Sequence, residues 1–560
     1  MKRGNHWSRS YVLLVSRLFL LGQMTPSCDC FVRPLLPRSR PGYQAIGDIP
    51  SIPTSAIAIN AAVDDEEIAA PAPTGETTSD ALPVARTKST GQRILDLSVP
   101  ALGALLIDPL LTIADTAFVG RFSESPNELA GMGSAAALLT FSFYLFNFLC
   151  TATTPLVSSK RSAGKEAEAL ATGGQALSLA LLLGGFLSIG LILFRQPLLS
   201  VMGTSISGPE ANGYAIDFLT MRAIAAPAVF CISASTGILR GYLDTKTPIV
   251  ILVLANLVNL ALDVMLIAYA RMGPAGAAIA TTAAEWISAL LFLGVLSGKI
   301  PSADGQLGRK DKDKDTLVVT PALAVPPLED VKPLIVASSS VFFRSLSLQV
   351  SLSAAAAFAA RGGETVPGGA ASSISAHQIA IQLWVLCSFI SDALAAASQG
   401  LVADGLGRND QDDVRDVSST VFVYSAILGV ILGTSLQIGY STGFLLNFFT
   451  SDDATQTALS EILTIIIVSQ PLNSLVFAAD GVLQGASEFT YQAKAMALSA
   501  GTAAVAFMIL QELDLADTLV NVWLALITLQ LMRGLTSAVK IVDSNGPIQL
   551  FLPSSSNATP

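Results

Sequence analysis

The sequence is poor in charged residues, histidine and cysteine, and each shortage excludes a class of protein. Only 13% of the 560 residues are charged, whereas soluble domains carry about a quarter, so several soluble domains could not all be given a polar surface. With two histidines, one of them within the first ten residues, a histidine-based metal site is nearly excluded. The five cysteines have no spacing suited to zinc or to a disulfide framework.

The chain is instead rich in apolar sequence, since 51% of its residues are hydrophobic. They form continuous runs of about 20 residues between short polar turns, the length of a membrane-spanning helix. Because these runs do not alternate with polar residues, a β-barrel is disfavoured. We therefore predict an all-α polytopic membrane protein in the lipid bilayer, with no nucleic-acid partner. The twelve predicted spans lie near residues 94–120, 129–158, 170–194, 213–239, 248–270, 274–298, 331–360, 372–403, 415–440, 457–484, 490–511 and 516–541.

The first 92 residues predict a targeting region. Residues 1–30 form a signal-peptide-like leader, with a basic start and an apolar stretch too short to cross a membrane. Residues 31–92, rich in Pro, Ser, Thr, Ala and Arg, indicate a transit-like, disordered segment. The junction at Phe31 resembles the bipartite plastid leaders of algae with complex plastids. This favours a plastid (chloroplast) membrane, with the plasma or vacuolar membrane as the alternative.

The remainder of the chain contains an internal repeat. Pro227 is followed ten residues later by Gly237, and Pro471 is followed ten residues later by Gly481. A repeat of six spans predicts two pseudo-symmetric six-helix lobes with a central cleft between them. Lys and Arg are concentrated on one side of the spans, which places both termini on the cytosolic or stromal face. The predicted boundaries are an N-terminal lobe at 93–298, a linker at 299–330, a C-terminal lobe at 331–541 and a disordered tail at 542–560.

Two aspartates lie inside the first predicted span. Asp108 and Asp115 are seven residues apart, almost two helical turns, so they share one stripe of one helix. An ionisable residue at membrane depth is costly unless it faces the bundle interior or a water-filled cavity, and is therefore a candidate functional residue. The alternative is a carboxylate that pairs with a nearby hydroxyl or amide and serves packing only.

A second polar group lies in the fifth predicted span. Asn256, Asn259 and Asp263 are spaced by three and four residues, so they face one way and could join Asp115 in a cluster. A carboxyl group favours its protonated form when sealed from water and its charged form when wet. The amides can hydrogen-bond either form, and the same oxygens suit Na⁺. The cluster therefore predicts a proton or sodium switch.

Three motifs resemble the multidrug and toxic compound extrusion (MATE) transporters. They are Ala114–Gly120 (ADTAFVG), the Asn-x-x-x-Asp of Asn259 and Asp263, and the stretch 237–246. The likeness covers about 93–541 and is strongest to the DNA-damage-inducible-protein-F branch, which includes plant plastid exporters. It implies that Asp115, Asn259 and Asp263 couple transport to a cation. The seventh span lacks the acidic residue of some branches, so the N-terminal lobe is expected to carry the coupling.

The C-terminal lobe offers candidates for the substrate cleft. Arg344, with Gln349 nearby, could attract an anion; the alternatives are a structural pair with Asp392 or Asp480, or a snorkelling side chain. His377 and Gln378 open the eighth predicted span, where a helix-cap or loop contact is the simpler role. The remaining cleft candidates are Trp384, whose alternative role is packing, and Asp480.

The sequence does not predict an enzyme, because it has no nucleophile with a partnered base, no set of metal ligands and no phosphate-binding glycine loop. We therefore expect a monomeric secondary active antiporter that exports small organic solutes, organic anions or xenobiotics, in exchange for H⁺ or Na⁺ and without a cofactor. One alternative is a lipid-linked precursor flippase, which a strongly cationic cleft would favour. The other is a membrane scaffold that transports nothing.

Overall fold

The computed structural model describes residues 88–122, 126–146, 148–201, 209–303, 318–320, 328–361, 369–450, 452–513 and 516–551, with some helical side chains left aside. These residues are almost entirely helical. Two short helices, Arg195–Val201 and Phe444–Phe449, follow the third and ninth spans. The twelve spans are Thr90–Phe122; Pro126–Leu145 with Phe148–Ser162; Glu166–Leu193; Pro209–Ala223 with Ala226–Gly241; Lys246–Asp263 with a π-helical extension, Val264–Tyr269; Gly273–Leu296; Leu328–Arg361; Gly369–Gly407; Gln411–Ser441; Asp453–Gly485; Phe489–Leu513; and Thr518–Val542.

The predicted number of spans is confirmed. Within the described residues, ten helices are long and apolar enough to cross a membrane, and an eleventh is formed by the two halves of the fourth span, bent by 46°. The first span, a continuous helix of 33 residues, completes the twelve. Each predicted span overlaps one of these helices, because a run of apolar residues long enough to cross a bilayer must satisfy its backbone hydrogen bonds internally.

The internal repeat appears as the same close helix contact in both lobes. A Cβ placed on Gly184 of the third span would lie 2.5 Å from the Cα of Pro227 in the fourth. In the second lobe, a Cβ placed on Gly429 of the ninth span would lie 2.5 Å from the Cα of Pro471 in the tenth. Small residues let helix backbones approach this closely in a membrane. The prolines that revealed the repeat in the sequence therefore lie at equivalent helix crossings.

A second crossing repeats in the same way. A Cβ on Gly241 would lie 2.8 Å from the Cβ of Val157, and a Cβ on Gly485 would lie 2.8 Å from the Cβ of Val402. These contacts join the second span to the fourth in one lobe and the eighth to the tenth in the other. The equivalence confirms two pseudo-symmetric lobes.

The tight crossing at Pro227 gives a stability prediction. Gly184→Ala should lower the free energy of unfolding by about 1–3 kcal/mol, because the new methyl group meets backbone that cannot rotate away. The matched control is Gly185→Ala, where a Cβ would have no neighbour within 4 Å. The measurement is the melting temperature of each purified variant in detergent. Equal melting temperatures would contradict the close crossing.

The two lobes meet at the face where the first span begins. The second and eighth spans end at this face and the ninth begins there. Hydrogen bonds between the lobes close the cleft at this face, and the distribution of Lys and Arg predicts that it is the cytosolic or stromal one. Within the described residues, the hydrogen bonds that cross between the lobes join Arg93 to Asp413 (2.7 Å), Ser158 to the carbonyl of Gly400 (3.1 Å) and Gln399 to the carbonyl of Thr151 (2.7 Å).

Breaking the ion pair at this face should open it more often. Arg93→Gln removes charged hydrogen bonds to Asp413, which contribute about 1.5–3 kcal/mol and bias the closed state by roughly tenfold or more. A cysteine replacing the buried Ser158 should then react faster with a membrane-impermeant thiol reagent. Lys88→Gln, which alters an exposed ion pair with Asp96, is the control. An unchanged labelling rate in Arg93→Gln would show that the pair does not hold this face closed.

The two segments flanking the C-terminal lobe pack more closely than the sequence suggests. The tail predicted as disordered from residue 542 is ordered as far as the described residues extend, to 551. Ile548 is fully buried, and Arg415 donates a hydrogen bond of 3.1 Å to the carbonyl of Gln549. In the linker, Val319 is buried and its N–H donates to the carbonyl of Leu296. Short apolar stretches, IQLFL in the tail and TLVVT in the linker, contain the residues that anchor the two segments, and they are too short to give a hydropathy pattern.

Candidate functional site

Asn259 and Asp263 form a fully buried polar pair in the N-terminal lobe. Both side chains have 0% exposure. The Asn259 amide donates from Nδ2 to Oδ2 of Asp263 at 2.9 Å. Their four-residue separation brings the two groups onto one face of the fifth span, as predicted. A charged carboxyl group out of water is very costly, so its uptake or release of a proton or another cation changes the stability of this buried site strongly.

The helix changes its hydrogen-bond pattern directly after this pair. The α-helix ends at Asp263, and Val264–Tyr269 continues as a π-helix. π-Helical turns inside α-helices are rare and are frequent at functional sites. The sequence of this turn, VMLIAY, contains no signal for it. The change places a locally altered backbone beside the buried carboxyl group.

Three other residues, Asn256, Asp108 and Asp115, were candidates for the same polar cluster. Asn256 is half-buried, and its amide donates to the carbonyl of Leu252 at 2.7 Å. This hydrogen bond stays within the same helix and reaches one turn toward its N-terminus. The first span is helical through Asp108 and Asp115 and packs along the fifth span. The side chains of both aspartates lie outside the described part of the structure, and their role stays a prediction.

A charged cluster joins three spans of the C-terminal lobe. Arg344 of the seventh span and Arg533 of the twelfth both donate to Oδ2 of Asp480 in the tenth. The exposed fractions of the three side chains are 14%, 4% and 9%. Arg344 therefore forms the structural ion pair with Asp480 that was one of its predicted roles. A guanidinium this deep in a lobe requires an anionic partner.

A chain of hydrogen bonds through neutral amide and hydroxyl side chains extends from Arg533 across the lobe. Arg533 donates to Oε1 of Gln530 at 2.6 Å, and Gln530 donates to Oδ1 of Asn473 at 2.9 Å. Asn473 in turn donates to the hydroxyl of Ser388 at 3.2 Å. On the other side, Gln492 donates to the carbonyl of Asp480 at 3.1 Å. The network fixes Arg533, which the sequence prediction missed although an arginine within an apolar span is itself a signal.

Three further polar groups lie within the spans of the two lobes. Asp392 of the eighth span and Arg240 of the fourth are half-buried. Tyr144 of the second span is 40% exposed.

The prediction that His377 and Gln378 open the eighth span is wrong. The helix begins at Gly369, because the small residues before His377 continue the helix. His377 is buried, with its ring 5.7 Å from that of Trp523, so it is not a helix cap. Trp384 packs in the same hydrophobic cluster. Gln378 is exposed and Gln349 is half-buried on the seventh span.

One more buried ion pair stabilises the bend of the fourth span. Arg222 donates two hydrogen bonds to Glu285 of the sixth span, and their side chains are 11% and 20% exposed. Arg222 lies just before the break between the two halves of the fourth span. Glu285 therefore has a structural partner. Among the described residues, no three His, Cys, Asp or Glu side chains come together as a metal site.

The chain is similar to known membrane transporters along most of its length. The MatE family profile matches residues 100–265 and 367–509, together more than half of the chain. Protein DETOXIFICATION 45, chloroplastic, of Arabidopsis thaliana is 28% identical over 484 residues, covering 83% of this chain and 80% of the relative. DNA damage-inducible protein F of Escherichia coli is 26% identical over 452 residues, covering 80% and 92%.

The fold agrees with these matches. A MOP superfamily transporter from Pyrococcus furiosus superposes with a TM-score of 0.68 at 20% identity, covering 81% of this chain and 96% of the other. Together with the two repeated lobes and the buried Asn259–Asp263 pair, these similarities lead to one conclusion. The chain belongs to the MATE family of membrane transporters.

Proposed function

We propose that the protein is a secondary active antiporter that exports small organic solutes, organic anions or xenobiotics, in exchange for H⁺ or Na⁺. The observation that carries this proposal is the fully buried Asn259–Asp263 pair. A carboxyl group in this position changes its charge only by taking up or releasing a cation. Such exchange provides the differential binding between two states that alternating access requires.

In this mechanism Asp263 and Asn259 hold the cation together with Asp115 of the first span. The first and fifth spans pack against each other, so a change of charge between them acts on their contact. Occupation by a cation removes the cost of a buried negative charge and favours the state in which the pair is sealed. Release to water favours the other state. The two lobes then open the cleft alternately to the two sides.

The charged residues of the C-terminal lobe help to distinguish an exporter of small solutes from a lipid-linked precursor flippase. Arg344 and Arg533 share the carboxylate of Asp480. The positive charge of these two guanidinium groups is thus partly offset by an acid, whereas a lipid-linked precursor with several phosphates requires a strongly cationic cleft. An exporter of small solutes fits this balance better.

We further propose a plastid membrane as the location. Its support is the leader-like sequence of the first 92 residues and a relative whose name includes the word chloroplastic. The full chain fused at its C-terminus to a fluorescent protein should be found at the plastid. Fluorescence at the plasma or vacuolar membrane would contradict this proposal.

The transport proposal is tested with the full chain in proteoliposomes. A panel of radiolabelled organic anions and cations is offered under an imposed pH gradient, an imposed sodium gradient and no gradient. At least one solute should accumulate only when a gradient of opposite direction is present. No gradient-dependent flux for any solute would favour a membrane scaffold.

A further inference from the structure

An apolar groove opens on the outside of the molecule where the two lobes meet. One wall is the first half of the first span, with Leu95, Val99 and Leu102. The other wall is the ninth span, with Ile427 and Ile431, and the floor is the eighth. The volume of the groove is about 390 Å³, at the small end of the range for ligand sites. Because each lobe contributes a wall, the groove is complete only while the lobes are in contact here.

The walls of this groove are exposed, and its floor is shielded. The exposed fractions are 64% for Val99, 53% for Ile427 and 54% for Ile431. On the floor, Ala393 and Leu394 are only 3% and 6% exposed. Since the walls belong to membrane-spanning helices, the medium that reaches the groove from the side is the hydrocarbon of the bilayer. A concave apolar surface at this depth is therefore filled by lipid chains.

The groove runs along the helices and lies within one leaflet. Leu95 is five residues after the start of the first span at Thr90, and the groove extends from Leu95 to Leu102, about 10 Å along the helix axis. Half of a hydrocarbon core is about 15 Å thick. At the end nearer the start of the span, the hydroxyl of Tyr424 lies beside Gly91, where a Cβ would come within 2.1 Å of it. A linear acyl chain, which crosses a leaflet in the same direction as the helices, fits this shape.

The residues next to the groove also join the two lobes. Arg93, two residues before Leu95, forms the ion pair with Asp413 that links the first span to the C-terminal lobe. Ile94, between them, is fully buried in the same hydrophobic cluster as Val417 of the ninth span. If the lobes separate at this face, the first span leaves the ninth and the groove loses a wall. A ligand that binds only the complete groove must therefore stabilise the closed face.

We propose that this groove binds one acyl chain of a membrane glycerolipid, and that the bound lipid holds the cleft closed at the face where the first span begins. The lipid is a regulator of the conformational cycle and is not itself transported. The inference goes beyond the proposed antiport, because it concerns neither the solute nor the exchanged cation. It depends only on the two lobes separating and meeting at this face.

The location of the lipid is tested by photo-crosslinking on the full chain in proteoliposomes. A small fraction of the phosphatidylcholine carries a diazirine on one acyl chain, and the labelled peptides are identified by mass spectrometry. Crosslinks should be concentrated on residues 95–102 and 424–431. Leu182 and Phe186 of the third span are the reference, since they are 72% and 81% exposed but do not line this groove. Labelling that follows exposure alone, without preference for the groove, would overturn the inference.

A photoreactive side chain on the wall identifies what occupies the groove. Benzoylphenylalanine is incorporated in place of Val99, and the mass of the illuminated protein is measured. A mass increase equal to one lipid supports the proposal. A crosslinked dimer, or a crosslink to another segment of the same chain instead of lipid, would assign the groove to protein and overturn it.

The effect on the lobes is measured through Ser158→Cys, at a hydrogen bond that crosses between them. The protein is held in a steroid-based detergent, which has no flexible acyl chain, and the native chain gives the background labelling. Adding phosphatidylcholine should slow the reaction of the new cysteine with a membrane-impermeant thiol reagent by roughly fivefold or more, the lower end of coupling between two sites. An unchanged rate would overturn the link between lipid and closure.

Two matched substitutions in this background separate the groove from the rest of the lipid-facing surface. Val99→Trp fills the groove from an exposed wall, so the variant should fold, and its labelling rate should no longer depend on lipid. Phe186→Trp, on the third span, should keep the native dependence. Retention of the lipid effect in Val99→Trp would contradict the proposal. No readout here needs a gradient or a solute, so lipid-dependent closure without gradient-driven flux would refute the antiport only, and flux without a lipid effect would refute this inference only.

Discussion

Replacing Asp263 by asparagine is expected to abolish gradient-driven transport, down to the level of protein-free liposomes. The substitution keeps the shape of the side chain and can keep a hydrogen bond to Asn259, 2.9 Å away in the native protein. It removes the only member of the described pair that changes its charge. An amide cannot exchange H⁺ or Na⁺ for a negative charge, so the two states of the transporter no longer differ in cation affinity. Asp115→Asn is expected to have the same effect.

The measurement is solute accumulation in proteoliposomes under the gradient that drives the native protein. Asp217→Asn is the matched control, because this acid lies in the same lobe but is exposed on the fourth span. Its transport should stay close to the native rate. Passive exchange of solute by Asp263→Asn, in the absence of a gradient, should persist if the cleft itself is intact. Accumulation at the native rate in Asp263→Asn would remove the coupling role of this residue.

The second large effect is on stability, at Asp480. Asp480→Asn should lower the free energy of unfolding by about 3–5 kcal/mol, the range for removing one partner of a buried ion pair. Asp480 accepts hydrogen bonds from both Arg344 and Arg533, so its neutralisation leaves two guanidinium groups without their counter-charge. The melting temperature in detergent measures the loss. Asp453→Asn, on the exposed start of the same helix, should melt close to the native protein.

A double substitution distinguishes charge from packing in this cluster. Adding Arg533→Gln to Asp480→Asn removes one of the two unpaired charges. The double variant should therefore be more stable than the sum of the two single effects predicts, because the residues share one network. Strict additivity would indicate that Asp480 contributes through packing and that the ion pairs add little.

The sequence predicts those features that depend on residues close together along the chain. The twelve spans follow from continuous apolar runs, since a bilayer requires about 20 such residues for a helix. The Asn259–Asp263 pair follows from a separation of four residues on one helix. The repeat is visible because Gly237 and Gly481, each ten residues after its proline, lie at tight helix contacts, where a Cβ would come within 2.8 and 2.4 Å of a backbone oxygen.

The C-terminal cluster depends on contacts that spacing along one helix does not encode. Arg344 and Asp480 are 136 residues apart, and Arg533 lies on yet another span. Each is recognisable in the sequence as an ionisable residue at membrane depth. Which of them pair is decided by how the seventh, tenth and twelfth spans pack. The ion pair between Arg222 and Glu285 also joins two spans, so spacing along one helix does not predict it either.

Two local errors have local causes. The eighth helix extends upstream of the predicted start because Gly369 and the small residues after it do not interrupt a helix, so His377 lies inside the helix and is buried. The tail, predicted to be disordered, contains Ile548, which is buried, and Leu550, which packs against the same hydrophobic cluster. Neither feature has a periodic pattern.

The central claim is that a membrane-embedded carboxyl group converts an ion gradient into solute movement. The most direct measurement is the direction of net solute flux in proteoliposomes of the native protein when the imposed pH or sodium gradient is inverted. We predict that the flux reverses with one of the two gradients, because the cation and the solute cross in opposite directions. Flux that keeps its direction and rate under both inversions would contradict the claim.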